Sequence, residues 1–148
     1  MEIWEVKENK RDYMELLLLA DEQESMIEQY LDRGRMFVLG REKARAVCVV
    51  TEEDLCTLEI KNIAVCPEYQ KQGLGKRMID FVVETFRGQY EELLVGTGES
   101  PLTVPFYEKC GFRISHRIPN FFTDYYDHPI YECGEQLVDM VYLKRLFL

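Results

Sequence analysis

The segment that most restricts this chain is Ile63-Ala64-Val65-Cys66-Pro67-Glu68-Tyr69-Gln70-Lys71-Gln72-Gly73-Leu74-Gly75-Lys76-Arg77-Met78. An apolar strand runs into a polar turn with two glycines, and a helix follows at once. Over 73–87 the residues Leu74, Met78, Phe81, Val82 and Phe86 recur at helical spacing, and Gly88 marks the stop. A helix that starts directly after a turn leaves its first N–H groups unpaired at the positive end of its dipole. Glycine at 73 and 75 lets backbone approach a bulky anion, and Lys71, Lys76 and Arg77 add charge nearby. The natural ligand is a pyrophosphate.

Two familiar pyrophosphate turns do not fit. A nucleotide P-loop needs Gly-x-x-x-x-Gly-Lys-Ser/Thr, but Gly75-Lys76 is followed by Arg77 and the first position is Gln70. The dinucleotide fingerprint needs a third glycine where Met78 stands. What fits is Gln/Arg-x-x-Gly-x-Gly/Ala, at Gln70-Lys71-Gln72-Gly73-Leu74-Gly75. In this motif the chain resembles the GNAT N-acetyltransferase superfamily, where the turn binds the pyrophosphate of coenzyme A. Downstream, Phe106-Tyr107-Glu108-Lys109-Cys110-Gly111-Phe112 is similar to the family's second signature, a short helix ending in Gly-Phe. The resemblance covers residues 36–118 well and the flanks by element order. It implies an α/β fold, a mixed and mostly antiparallel sheet flanked by helices, in a single domain over 1–148.

The residue pattern predicts strands at 2–7, 36–39, 44–51, 55–65, 92–96, 112–118 and 136–143. Asn9 is placed to cap a helix carrying Tyr13, Leu16, Leu17 and Ala20, and a second helix from Glu22 to Arg33 ends at Gly34. Ser100 is placed to cap a brief helix with Pro101 in its first turn and Gly111 beyond its end.

Moving an acetyl group from a thioester to an amine requires loss of an ammonium proton, stabilisation of an oxyanion and protonation of the departing thiolate. The resemblance implies Glu59 as the base, acting directly or through water. Burial beside Leu58 and Ile60 would raise its pKa, while the plain alternative is a surface carboxylate paired with Lys61. It also implies Tyr107 as the acid near the coenzyme sulfur, against the alternative of a ring packed between Phe106 and Phe112. Ile63, Ala64 and Val65 are expected to pair with the pantetheine arm, with a backbone N–H near Val65 meeting the oxyanion. Gln70, Lys71, Gln72, Gly73, Leu74, Gly75 and Lys76 are expected to hold the pyrophosphate. Where many relatives carry an asparagine before the second-signature helix, this chain has Gly98-Glu99-Ser100-Pro101, leaving Ser100 as a shorter hydrogen-bonding substitute.

The stretch from Ser115 to Glu135 is long for a connector. Its rings and carboxylates suit a cationic amine, with Phe121, Phe122, Asp124, Tyr125 and Tyr126 as candidate acceptor contacts; rings that merely cover the sheet are the alternative. A formal charge of −9 argues against nucleic acid and would draw in a small cation. His128, Asp124, Asp127 and Cys133 match no metal-ligand spacing, so no metal is expected. The five cysteines include no Cys-x-x-Cys pair, no apolar run is long enough to cross a bilayer, and the N-terminus lacks a leader pattern. The expectation is a cytoplasmic protein with no membrane attachment. The leading reading is an acetyl-CoA-dependent N-acetyltransferase acting on a small cationic amine by direct attack in a ternary complex. An acyl-CoA sensor without turnover, an enzyme modifying a protein N-terminus or lysine, and a homodimer all stay open.

Overall fold

Alternating apolar residues build one seven-stranded sheet in the structure, a computed structural model that describes residues 2–147. Met1 and Leu148 of the expected domain lie outside that range. Along the chain come β1 (Ile3–Val6), α1 (Met14–Leu17), α2 (Glu24–Glu28), β2 (Arg35–Leu39), β3 (Ala46–Asp54), β4 (Thr57–Val65) and α3 (Leu74–Phe86). They are followed by β5 (Glu92–Gly98), α4 (Val104–Lys109), β6 (Arg113–Ile118), α5 (Phe121–Tyr125), the hairpin β7 (Tyr131–Glu132) and β8 (Glu135–Gln136), and β9 (Met140–Leu146). The large sheet has the order β1-β2-β3-β4-β5-β9-β6. Only β4 and β5 run parallel; every other neighbouring pair in it is antiparallel. The mixed, mostly antiparallel α/β sheet is the one expected.

Helix α3 covers one face. Its buried side chains Leu74, Met78, Ile79, Val82, Val83 and Phe86 pack against Leu58, Ile60, Leu93, Val95, Val141 and Leu143. At about 2 kcal/mol for each fully buried apolar side chain, that face contributes on the order of 10 kcal/mol before chain entropy is counted. It fixes the helix although its first amides find no partners among the described residues. On the other face α1, α2 and the turns after them lay Leu17, Ile27 and Leu31 over Met36, Val38, Val47 and Val49.

One irregularity sets the orientation of β4. Val49 pairs with Asn62 but Val50 pairs with Ile60, so Lys61 is an extra residue, a β-bulge. Before it Leu58 and Ile60 face α3; after it Ile63 and Val65 do. Glu59, Asn62 and Ala64 therefore share the opposite face. Asn62, only 3% exposed, donates through Nδ2 to the Leu17 carbonyl at 3.0 Å and to the Tyr30 hydroxyl at 3.1 Å, tying α1 and the turn after α2 to the sheet.

Several local expectations shift. Asn9 adopts left-handed backbone (φ 57°) and makes no side-chain cap bond; a 3-10 turn (Lys10–Tyr13) and the single turn α1 replace the longer helix. The second helix shrinks to Glu24–Glu28, and turns carry the chain to Gly34, whose N–H bonds the Tyr30 carbonyl at 2.9 Å. Thr103, not Ser100, is the N-cap residue of α4, because the Ser100 hydroxyl and carbonyl close the turn before it by accepting from Leu102, Thr103 and Val104 N–H groups. The last strand begins at Met140 because 131–136 folds into its own hairpin. No helix among the described residues is long and apolar enough to cross a membrane.

Replacing Asn62 with Ala would remove its bonds to the Leu17 carbonyl, which keeps the Ala20 and Asp21 N–H groups at 3.2 Å, and to the buried Tyr30 hydroxyl. The expected loss is about 1–3 kcal/mol of stability, read as a lower denaturant midpoint with an unchanged slope.

Candidate active site

The turn after β4 is shaped by its own residues. Gln70 folds back so that Nε2 donates to the Val65 carbonyl at 3.0 Å. Lys71 (φ 64°) and Gly73 (φ 80°) both take left-handed backbone, which a glycine adopts freely and a lysine at a cost of roughly 1–2 kcal/mol. The Gln70 N–H reaches the Pro67 carbonyl at a long 3.4 Å, and the first bond of α3 runs from Arg77 N–H to Gly73 at 3.0 Å. Between them, the N–H groups of residues 71–76 find no acceptor among the described residues. Six consecutive amides at the start of a 13-residue helix form an anion cradle. Lys71 and Gln72 are exposed there, whereas Lys76 is paired with Asp80 at 2.8 Å. A Cβ on Gly75 would come within 3.0 Å of the Phe106 ring, so this glycine seats α4 on the first turn of α3.

Beside the cradle the sheet opens. β4 and β5 pair from Thr57/Glu92 to Ile60/Val95 and then part, although β4 continues to Val65 and β5, still bonded to β9, to Gly98. The Cys66 N–H donates to Arg45 on the β3 side at 2.8 Å. Since amides alternate sides along a strand, the Val65 N–H faces the opening.

Glu59 lies one residue before the strands part, on the α1–α2 face, and is 5% exposed. Its Oε2 meets Lys61 Nζ at 3.1 Å and accepts from the Tyr142 hydroxyl at 3.2 Å. Burial pushes its pKa above the usual carboxylate range, against the opposing pull of Lys61. The two readings of this residue thus coexist: it is paired with Lys61, yet buried. Tyr142 was not singled out from sequence; only the alternation of buried Val141 and Leu143 around it hinted at its opposite orientation.

Tyr107 sits on the α3 side of the sheet. Its ring meets Phe106 and Phe112 edge-on at 5.2 and 5.7 Å. Burial drives its pKa upward, with a smaller push from Cys48, which pairs with Ile63 in the opened part of β4. Its hydroxyl is therefore protonated at neutral pH and bonds no other described residue. Ser100 is buried, and its hydroxyl donates to Glu132 at 3.1 Å as well as capping Leu102.

The aromatic connector is folded rather than loose. Phe122, Ile130 and Leu137 form a small core with Phe121, Tyr126 and Met140, while Asp124 and Tyr125 stay exposed. Met140 shares its face of β9 with Tyr142, so this cluster lies on the Glu59 side. The connector is tied to the segment after α1: the Tyr126 hydroxyl donates to Asp21 at 2.7 Å, Asp127 N–H donates to Gln23 at 3.0 Å, and His128 pairs with Glu22 at 3.4 Å. Asp21 also accepts from Tyr30 at 3.3 Å, and its pKa is raised by burial.

Comparison with known proteins agrees with this geometry. The family model described as an acetyltransferase (GNAT) domain matches residues 32–114. An uncharacterized N-acetyltransferase, YvbK of Bacillus subtilis, is 35% identical over 145 residues, covering 96% of this chain and 92% of the relative. A GNAT family acetyltransferase of Elizabethkingia anophelis with acetyl-CoA bound superposes with a TM-score of 0.92 at 34% identity, over 98% of this chain and 97% of that one. A Bacillus subtilis acetyltransferase in complex with CoA gives 0.89 at 34% identity, over 99% of both chains.

A side chain at position 73 would enter open space but strain the backbone. Gly73→Ala should lower stability by about 1 kcal/mol and weaken coenzyme A binding about tenfold in calorimetric titration, through distortion of the cradle.

Proposed function

The chain belongs to the GNAT acetyltransferase family and is an acetyl-CoA-dependent acyltransferase, and from that premise we propose that it acetylates a small cationic amine by direct attack in a ternary complex. One arrangement carries the reading: a buried carboxylate and a buried hydroxyl lie on opposite faces of the sheet, at the level where β4 and β5 separate. Bound acetyl-CoA supplies the activated carbonyl and a thiolate leaving group. The amides of residues 71–76 grip its pyrophosphate, and Ile63, Ala64 and Val65 offer the free edge of β4 to its pantetheine arm. Ser100 would reach the coenzyme only by giving up its bond to Glu132.

Glu59 takes the proton from the incoming ammonium, directly or through a water, and its raised pKa suits that exchange. The Val65 N–H meets the charge that develops on the carbonyl oxygen. Tyr107, held protonated by its apolar surroundings, donates to the sulfur as the C–S bond breaks. On the acceptor side Phe121, Asp124, Tyr125 and Tyr126 present rings and a carboxylate to a cation, with Phe122 as the packed base beneath them. The net charge of −9 supports a cationic acceptor, and five free cysteines support a reducing compartment such as the cytoplasm.

Glu59→Gln should lower kcat about a hundredfold and Tyr107→Phe about tenfold, with coenzyme A affinity nearly unchanged in both. Activity needs ionised Glu59, so the rate is present above its raised pKa and falls as pH drops through it, earlier than an exposed glutamate would allow. Thiol release followed against pH with a panel of small amines measures both effects; unaltered rates in the two variants would remove the assignment.

A further inference from the structure

Tyr142 and Glu59 stand on β9 and β4, which are not neighbours; β5 runs between them. Two strand spacings amount to about 10 Å, so a direct bond requires a long side chain laid flat across the middle strand. That path is open only because β5 carries no side chain at the crossing. Gly96 is the cross-strand partner of Tyr142, and a Cβ built there would come within 3.0 Å of the Tyr142 Cζ and 2.6 Å of Met140 Sδ. On the far side, His116 of β6 pairs with Tyr142 and stacks on its ring at 4.8 Å with the planes 2° apart. Histidine, tyrosine and a side-chain-free gap thus form one row across β6, β9 and β5, and the tyrosine reaches diagonally to the carboxylate, whose own partner on β5 is Leu94.

We propose that Tyr142 is the positioning residue for the catalytic base: it crosses the gap at Gly96, is held flat by His116, and fixes Glu59 toward the acceptor while Lys61 holds the same oxygen from β4. This inference rests on the assignment of Glu59 as base. Besides orientation, the hydroxyl stabilises the ionised carboxylate, as a donor to the charged form does. The groups acting on Glu59 are Lys61 on its own strand, Glu53 from β3 and Tyr142 from β9. Lys61 also lies 3.9 Å from Glu53, so it alone cannot define where the Glu59 carboxylate points.

The test is the pH profile of kcat/KM for one amine, with coenzyme A affinity as the check that each variant folds. Tyr142→Phe keeps the ring and removes only the donor. It should reduce kcat/KM about tenfold at neutral pH and move the acidic limb upward, because the ionised base has lost a hydrogen bond. Gly96→Ala, which leaves the hydroxyl in place but blocks its path, should produce the same displacement, and the double variant should add little. An acidic limb unmoved in Tyr142→Phe, while Glu59→Gln abolishes that limb, overturns the positioning role alone. A limb that survives Glu59→Gln overturns the base assignment and this inference with it.

Discussion

The structure depends on a contact that is left unmade. Strand β4 ends in a turn with left-handed backbone at Lys71 and Gly73, and the six amides of residues 71–76 have no acceptor among the described residues. Unpaired amides are tolerated at the surface of a helix start, yet something must hold the helix in place against the fraying such an end invites. The buried face of α3 does so, from Leu74 in its first turn to Phe86 in its last. The same packing that forms the core therefore aims a positive dipole end at solvent, beside the edge of β4.

A second constraint follows from the parallel pairing of β4 and β5. Both strands twist, and here they pair over four residues before diverging, the one toward α3 and the other along β9. The gap so formed leaves the edge of β4 beyond Ile60 open to added backbone hydrogen bonds. Tyr107 approaches from the α3 side and Glu59 from the side of α1 and α2. Each environment acts on its group: the apolar pocket keeps the tyrosine protonated, and burial raises the pKa of the glutamate against the opposing pull of Lys61 and Tyr142.

Much of this was legible in the residues because it is local. The turn at 70–75 and the helix after it declare themselves through glycine placement and helical periodicity, and the Gly111-Phe112 ending of α4 likewise. What was not legible depends on partners distant in sequence. The bulge at Lys61 reverses the alternation of β4 without any change in its apolar composition, so the face shared by Glu59 and Asn62 had no local sign. Gly96 reads as an ordinary strand glycine until its partner Tyr142 is known. The second helix is shorter than its periodicity predicts: Lys10 donates to the carbonyls of Leu31 and Gly34, at 3.1 and 2.5 Å, where turns rather than helix carry the chain. The aromatic connector was recognised by composition, but its attachment to Asp21, Glu22 and Gln23 is a tertiary fact.

The central claim is that the amides of residues 71–76 are the groups that grip the coenzyme. It is tested most directly by following backbone amide resonances of the 15N-labelled protein while coenzyme A is added. The account predicts large downfield proton shifts concentrated at residues 71–76, as free N–H groups acquire phosphate acceptors. Saturable binding that leaves those six resonances in place, with the shifts clustered elsewhere, would contradict it.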